Sequence, residues 1–394
     1  MERNQNLKNN TSENIAILIP QFYWGGMPQV ASNLIQLLEK KYNITLILVN
    51  SELEIRKETY GAKVIRLQGN PLKKLIQLRY LLKKEKYKAV ISLGIIDNLL
   101  NILLAPKRTI TIITEHSTKS FDNEIETNLI KKRLYIWGLK KIYPRANRIV
   151  AVSNGIKEDL EDNYQLKNIV TIYNPILLIN QQEELTENDS KLIEDIRKRQ
   201  GKIVINVGRI TRPKGQLNLV NSFKYLKGKN IHLILIGEGP DLKEIERIVE
   251  LNGMHDNIHF VGSRQNVITW MKEADIYASL SWFEGFPTAL LEAISAGIPV
   301  LTADILSGPR EILSNGRLKS YKKTIRYPYS LENGVLTKRF DFRESNFDEK
   351  DIEIDFARVL ETMVLEKKDD YSYCLDFLEN NDILRRYEEI IESK

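Results

Sequence analysis

The stretch SWFEGFPTALLEAISAGIPV, residues 281–300, sets two carboxylates, Glu284 and Glu292, eight positions apart in otherwise apolar surroundings. Pro287 suits the first turn of a helix, where its missing N–H would have no partner anyway. Gly297 suits the position past the helix end, and Pro299 keeps the helix from resuming. The spacing therefore predicts a strand-like run over 275–283, a glycine loop holding Glu284, and a helix from Pro287 that carries Glu292. A further strand follows at 299–302. The start of such a helix offers unpaired N–H groups and a positive dipole end to a phosphate. On that reading the N–H groups near Thr288 hold a diphosphate and Glu292 accepts hydrogen bonds from sugar hydroxyls. The same residues read equally as a solvated helix acid and a loop acid.

Cations stand at a comparable place. NVGRITRPKGQ, from Asn206, follows an apolar run, and Arg209 and Lys214 are separated by a turn that lets both reach one anion. Arginine offers a planar fork and lysine a point charge. Other glycine turns also lead from apolar runs into helical segments: QFYWGGMPQVASNL with Gly25 and Gly26, IGEGPDL with Gly237 and Gly239, and VGSRQN with Gly262, Ser263 and Arg264. One such turn says little, but several at one sheet edge describe an anion-and-sugar site. The sequence has no D-x-D triplet and no His/Cys cluster, so no metal and no cofactor is expected. The single cysteine, Cys374, excludes an internal disulfide and reads as a packing residue.

Positioning these loops takes an alternation of strands and helices. Apolar strand-like runs occupy 15–20, 44–49, 64–67, 89–93, 109–114 and 148–152, then 203–207, 231–236, 258–261, 275–278 and 299–302. Helical patterns fall between them, which is the signature of two successive doubly wound parallel sheets in an α/β chain. The polar stretch 180–200 reads as the join. The expected division is a first domain over 1–178, a linker over 179–200, a second domain over 201–365, and C-terminal helices over 366–394 that return to the first domain.

Charge is uneven. Residues 1–175 hold 27 Lys+Arg against 16 Asp+Glu, and the remainder 31 against 36. Two clusters, 71–88 and 131–148, each carry seven basic residues among Leu, Ile, Tyr or Trp at roughly helical spacing. Both read as basic amphipathic helices for an anionic membrane surface, or as basic solvated faces. No nucleic-acid motif accompanies the charge, and no apolar run reaches the ~20 residues of a membrane-spanning helix. The polar N-terminus lacks a signal-peptide core, so the expected location is cytoplasmic and peripheral on the inner face of the plasma membrane.

In order along the chain, GGMPQVASNL, SNGIKEDL, IYNPI, VGRITRPKGQ, LILIGEGP, FVGSRQN, ADIYASLSWFEGFPTALLEAISAGIPV and SGPREIL resemble the retaining glycosyltransferases of family four, the type that builds bacterial cell-surface polysaccharides. The resemblance implies a GT-B fold, two Rossmann-like domains facing across a cleft. It implies transfer from a nucleotide-sugar, a UDP-sugar, to a lipid-linked glycan acceptor with retention of configuration, in O-antigen or capsule synthesis. A soluble acceptor, or a non-catalytic sugar-nucleotide-binding subunit, are the alternatives. By the same resemblance Arg209 and Lys214 neutralise the leaving diphosphate, Glu292 binds the ribose, and Glu284 contacts the donor sugar. Gly285, Phe286, Pro287 and Thr288 complete the donor cradle. Gly25 and Gly26 let a loop reach the diphosphate, and the loops at 237–239 and 262–264 hold the base. His116 stands near the transferred sugar. The segment 317–330 departs from the pattern as a basic, Tyr-rich insertion, a mobile flap or a plain surface loop. Met27 and Pro28 depart from it too, where many relatives have a small residue and an acid.

Overall fold

The computed structural model describes residues 13–22, 26–50, 58–176, 184–265, 267–340, 348–366 and 371–393. It divides into two compact units: Met1–Val152 with Asp159–Leu177 and Leu378–Lys394, and Ser153–Glu158 with Leu178–Phe377.

In the first unit, β1 (Asn14–Ile19), β2 (Asn43–Leu48), β3 (Lys63–Arg66), β4 (Ala89–Leu93), β5 (Ile110–Glu115), β6 (Arg148–Ala151) and β7 (Ile169–Thr171) form one sheet. Its order is β3-β2-β1-β4-β5-β6-β7, with every pair parallel. Strands covered on both faces need near-continuous apolar sequence, and NIAILI and AVISL supply it. The strand order reverses between β1 and β4, which places a crevice at their carboxyl ends. The helix Asn380–Glu392 packs Ile383, Tyr387, Ile390 and Ile391 into the same core as Ile15 and Ile17, and Arg386 donates to the Thr171 carbonyl.

The second unit repeats the plan. Its strands are β8 (Lys202–Val207), β9 (Ile231–Ile236), β10 (Ile258–Gly262), β11 (Ile276–Ser279), β12 (Val300–Ala303), β13 (Tyr329–Leu331) and β14 (Gly334–Thr337). The order is β10-β9-β8-β11-β12-β14-β13, and the reversal lies between β8 and β11. All pairs are parallel except the terminal β13–β14 hairpin.

Both doubly wound sheets are present at the expected runs. Sequence patterning misses β7, β13 and β14, three or four residues each and too short to show a period. The stretch expected as a linker is largely the helix Glu187–Lys198, whose Ile193 and Ile196 are buried in the second unit. The C-terminal stretch expected as helices is irregular at 371–375, where Asn333 bonds both the N–H and the carbonyl of Cys374.

The insertion is a pinned element. Arg310, 3% exposed, donates to both oxygens of Asp304 at 2.8 and 2.6 Å and to the carbonyls of Ser320 and Lys323 at 2.9 and 2.7 Å. It also lies over the Tyr321 ring, and the Tyr327 hydroxyl bonds Asp304 at 2.5 Å. A buried guanidinium is tolerated only when paired and hydrogen-bonded, and here the turn around 320–323 supplies the remaining acceptors.

At the amino end of β9 and β10, His232 Nδ1 and His259 Nε2 lie 3.1 Å apart with the rings stacked. Only one of the two can bring a proton to that contact. Burial first, and then the neighbouring imidazole, push His259 down to about 4; burial also lowers His232. A pKa below the ordinary 6.5 means that the stabilisation is intact above that pH and is lost as pH falls toward 4. The melting temperature of the wild type should therefore drop between pH 7 and 4.5, by about 2–4 °C for each kcal/mol lost. His259→Gln should flatten that slope in calorimetry; an unchanged slope would assign the acid sensitivity elsewhere.

Candidate functional site

The site is built where the second sheet reverses its strand order. The loop after β8 runs from Gly208 to Gly215, and the loop after β11 from Leu280 to Pro287. Gly215 has φ +67°, and a Cβ there would stand 1.9 Å from the Leu280 carbonyl oxygen. Only glycine allows the two main chains to meet so closely. Around this contact the Trp282 N–H donates to the Pro213 carbonyl at 2.9 Å, and the Ser281 hydroxyl donates to the Lys214 carbonyl at 3.3 Å. Arg212 stacks over the Trp282 ring at 5.3 Å.

Two chemically active groups are brought together here. Lys214 Nζ lies 2.7 Å from each oxygen of the Glu284 carboxylate, and Ser281 donates to the same carboxylate at 3.0 Å. The Glu284 side chain is 15% exposed and that of Lys214 36%, so the pair is reachable from solvent. Arg209 stands exposed with no ion pair among the described residues, and its carbonyl accepts from Gln216 Nε2 at 3.2 Å. Gln216 is buried, and its Oε1 has no hydrogen-bond partner among the described residues.

Behind Glu284 the chain enters the helix Thr288–Ser295, which begins one position after the predicted start, with Pro287 as its N-cap. Gly297, at φ +77°, follows the helix end as the spacing predicts. Glu292 lies more than a turn in and is half-buried. Tyr277 of β11 connects the two carboxylates electrostatically. Burial, and then the charges of Glu284 and Glu292, raise its phenol, whose oxygen lies 3.5 Å from the Val207 carbonyl. The loop after β12 braces the cradle from the other side. The Ser307 hydroxyl donates to the Glu284 carbonyl, and a Cβ on Gly308 would stand 2.5 Å from Pro287 Cδ.

Other predicted residues turn out to hold structure. Phe286 is 6% exposed and packs edge-on against Phe377. Gly237 and Gly239 press main chain against main chain, since a Cβ on either would stand 1.9 Å from the carbonyls of Gly208 and Ile210. The Gly237 N–H donates to the Gly262 carbonyl, so the loops after β8, β9 and β10 are joined edge to edge. Arg264, expected at the base, donates to both oxygens of Asp189 at 2.9 and 3.2 Å and lies over Trp270. Ser263 is exposed beside it, and Gly285 is buried in the cradle loop. Tyr277, Ser281, Ser307 and Gln216 are additions that sequence patterning misses, because isolated Ser, Tyr and Gln residues carry no distinctive spacing.

In the first unit, His116 follows β5, with Nε2 2.8 Å from the Thr114 hydroxyl. Burial, and then the Lys119 cation, push it down to about 3, so the imidazole is neutral. Lys119 is held by Glu115 at 2.8 Å and Asp122 at 3.1 Å. Gly26 opens the helix Gly26–Leu38 and is exposed; Gly25 lies outside the described residues. Among the described residues no group of three or more His, Cys, Asp or Glu is arranged to hold a metal.

A family model described as Glycosyltransferase Family 4 matches residues 24–178, and one described as Glycosyl transferases group 1 matches 188–329. An uncharacterized glycosyltransferase of Methanocaldococcus jannaschii is 28% identical over 66% of this chain, a match that spans 62% of that relative's own length. The N-acetylgalactosamine-N,N'-diacetylbacillosaminyl-diphospho-undecaprenol 4-alpha-N-acetylgalactosaminyltransferase of Campylobacter jejuni is 26% identical over 77% of this chain and 84% of its own. Among solved structures, HepE of Anabaena, crystallised with UDP and glucose, superposes with a TM-score of 0.74 at 15% identity, covering 97% of this chain and 100% of its own. The chain belongs to the glycosyltransferases of family four and has the GT-B fold.

Lys214→Ala and Arg209→Ala should each lower sugar transfer by about 10²–10³ with unchanged circular dichroism, the loss expected when a fixed charge facing a leaving group is removed. Near-normal turnover in both variants would detach these cations from the chemistry.

Proposed function

We propose that this glycosyltransferase moves a hexose from a nucleotide-sugar, with UDP as the leaving group, to a lipid-linked glycan in cell-surface polysaccharide synthesis. The observation that carries the donor half is the pairing of Lys214 with Glu284 at the β8–β11 reversal, with Arg209 exposed in the same loop after β8 and the start of the helix Thr288–Ser295 next in the chain after Glu284. Breaking the sugar–phosphate bond leaves negative charge on the diphosphate and positive charge on the sugar. Arg209, Lys214 and the helix start face the first charge and Glu284 the second; Glu292 takes the ribose hydroxyls. These cations do the work that a divalent metal does in other sugar transferases, so the reaction needs none. The acceptor hydroxyl attacks the anomeric carbon on the face the diphosphate leaves. The bond to the diphosphate oxygen breaks with its electron pair, and the hydroxyl proton passes to that oxygen, so the configuration is retained. His116, held neutral, serves as a hydrogen-bonding group near the transferred sugar.

The acceptor half rests on the first unit's surface and on the lipid-diphosphate acceptor in the Campylobacter relative's name. The helix Leu129–Lys141 leaves Leu129, Ile130, Leu134 and Trp137 between 56% and 74% exposed, interleaved with Arg133, Lys140 and Lys141. The helix Pro71–Lys84 likewise exposes Leu72, Ile76 and Tyr80 beside Lys73, Arg79 and Lys83. Apolar groups this exposed, ringed by cations, suit the headgroup boundary of an anionic bilayer. No described helix is long and apolar enough to cross a membrane. The expected basic segments are trimmed at their ends. Tyr143 is buried and Arg148 opens β6, Lys88 pairs with Glu13 and Glu392, and Lys131 pairs with Glu126 at 2.5 Å.

Calorimetry with UDP tests the division of roles. Glu292→Gln should weaken UDP binding by about tenfold or more, as expected when a charge-assisted hydrogen bond is lost. Glu284→Gln should leave it within about twofold while lowering turnover. Equal losses of UDP affinity in the two variants would refute the assignment. Neutralising Arg133, Lys140 and Lys141 together with Trp137→Ser should abolish sedimentation with phosphatidylglycerol vesicles. Binding of the wild type should weaken as salt rises, because exposed charges are screened within about 10 Å at 0.1 M. Wild-type protein that fails to sediment at low salt would favour a soluble acceptor.

A further inference from the structure

The first sheet reverses its strand order between β1 and β4, just as the second reverses between β8 and β11. The second reversal holds Lys214 and Glu284. The first holds a different acidic group, Asp97, in the opening turn of the helix Ile95–Leu104 that follows β4. Asp97 is 1% exposed, and neither carboxylate oxygen has a hydrogen-bond partner among the described residues. Its neighbour in sequence shows what a structural polar group does in this place. Asn98 donates to the Thr114 carbonyl and to Glu115, and accepts from Ser92.

The ordinary structural roles of an acid at a helix start do not fit. A capping side chain accepts a main-chain N–H from a later residue of the first turn; Asp97 makes no such bond, and the one main-chain group that favours its charged form is its own N–H. No ion pair reaches it among the described residues. The surrounding backbone nevertheless makes room for it. Gly94 has φ +115°, and a Cβ there would stand 3.0 Å from Asp97 Oδ2, 3.5 Å from Pro20 and 3.8 Å from the Met27 methyl. Pro20 follows β1, and Met27 belongs to the helix Gly26–Leu38, so the carboxyl lies where the ends of β1 and β4 meet. A buried acid without a donor costs folding free energy. Burial accordingly pushes this carboxyl up to about 7.

We propose that Asp97 is an acceptor-binding residue, taking a hydrogen bond from a hydroxyl of the acceptor sugar at the β1–β4 reversal of the first unit. The inference rests on the transferase reading above and adds a residue to it. The chemistry favours a neutral donor group. A phosphate would be repelled by the carboxylate. A cation is not needed, because the helix start already offsets part of its charge. Met27, half-exposed and unbranched, brings its methyl 3.8 Å from a Cβ built on Gly94, and Ile96, 59% exposed, gives a sugar an apolar neighbour.

Saturation-transfer NMR with methyl α-glucoside, methyl α-galactoside and methyl α-N-acetylgalactosaminide as acceptor stand-ins tests this. The wild type should bind at least one of the three, and Asp97→Asn and Asp97→Ser should weaken that binding by about tenfold, the loss expected for one hydrogen bond to a charged group. Both variants should melt at or above the wild-type temperature, because an unpartnered acid has been removed. Equal binding in wild type and variants overturns the proposal, as does binding of none of the glycosides by the wild type. A fall of several degrees in both variants also overturns it, because that outcome marks a structural acid. UDP binding by the wild type, measured in the same samples, reports on the donor reading separately.

Discussion

The close main-chain contact between Gly215 and Leu280 is the constraint on which the donor side depends. It joins the loops after β8 and β11, which parallel topology makes neighbours although about 65 residues separate them in sequence. With the backbones in contact, Lys214 and Glu284 meet in a bidentate pair one residue from the contact on one side and four on the other. Gly237 and Gly239 apply the same device along the edge, joining the next loops to the first. Glycines that a sequence motif attributes to ligand approach therefore serve the architecture first. They let strand-end loops touch, so that side chains from distant segments converge.

The ion pair also sets the electrostatic state of the unliganded site. Lys214 is neutralised by Glu284, while Arg209 is exposed and without an ion pair among the described residues. In the proposed reaction an entering diphosphate competes with Glu284 for Lys214, so donor binding and the release of the carboxylate toward the sugar are one event. The cradle behind Glu284 resists movement because Ser307 and Gly308 brace its main chain. Asp304 and Arg310 fix the same loop and, through Ser320 and Lys323, the insertion. An element that reads as an optional surface loop thus shares its anchor with the loop that supports the site.

The two units differ in how they treat charge. In the first, buried Lys119 is paired with buried Glu115 and with partly exposed Asp122, and burial, then the Lys119 cation, leaves His116 uncharged. Its outer helices keep cations and apolar groups side by side at the surface. The overall positive charge of this half is therefore a property of its exterior and says little about its core.

The sequence by itself determined the two parallel sheets, because buried strands must be apolar along their whole length and the intervening helices carry their own period. It also determined the glycine-to-helix loops, the helix stop at Gly297 and the cation and carboxylate pairs, since each depends on residue types at short spacing. Tertiary structure alone decided which of these residues meet. Arg264 binds Asp189, Phe286 packs on Phe377, Lys214 binds Glu284, and Asp97 stays buried with no partner among the described residues. The reason is that contact across a sheet edge is set by strand order and loop approach. Short-range spacing encodes neither, and the energies at stake, a hydrogen bond or an ion pair of about 1–3 kcal/mol, leave no periodic trace in the sequence.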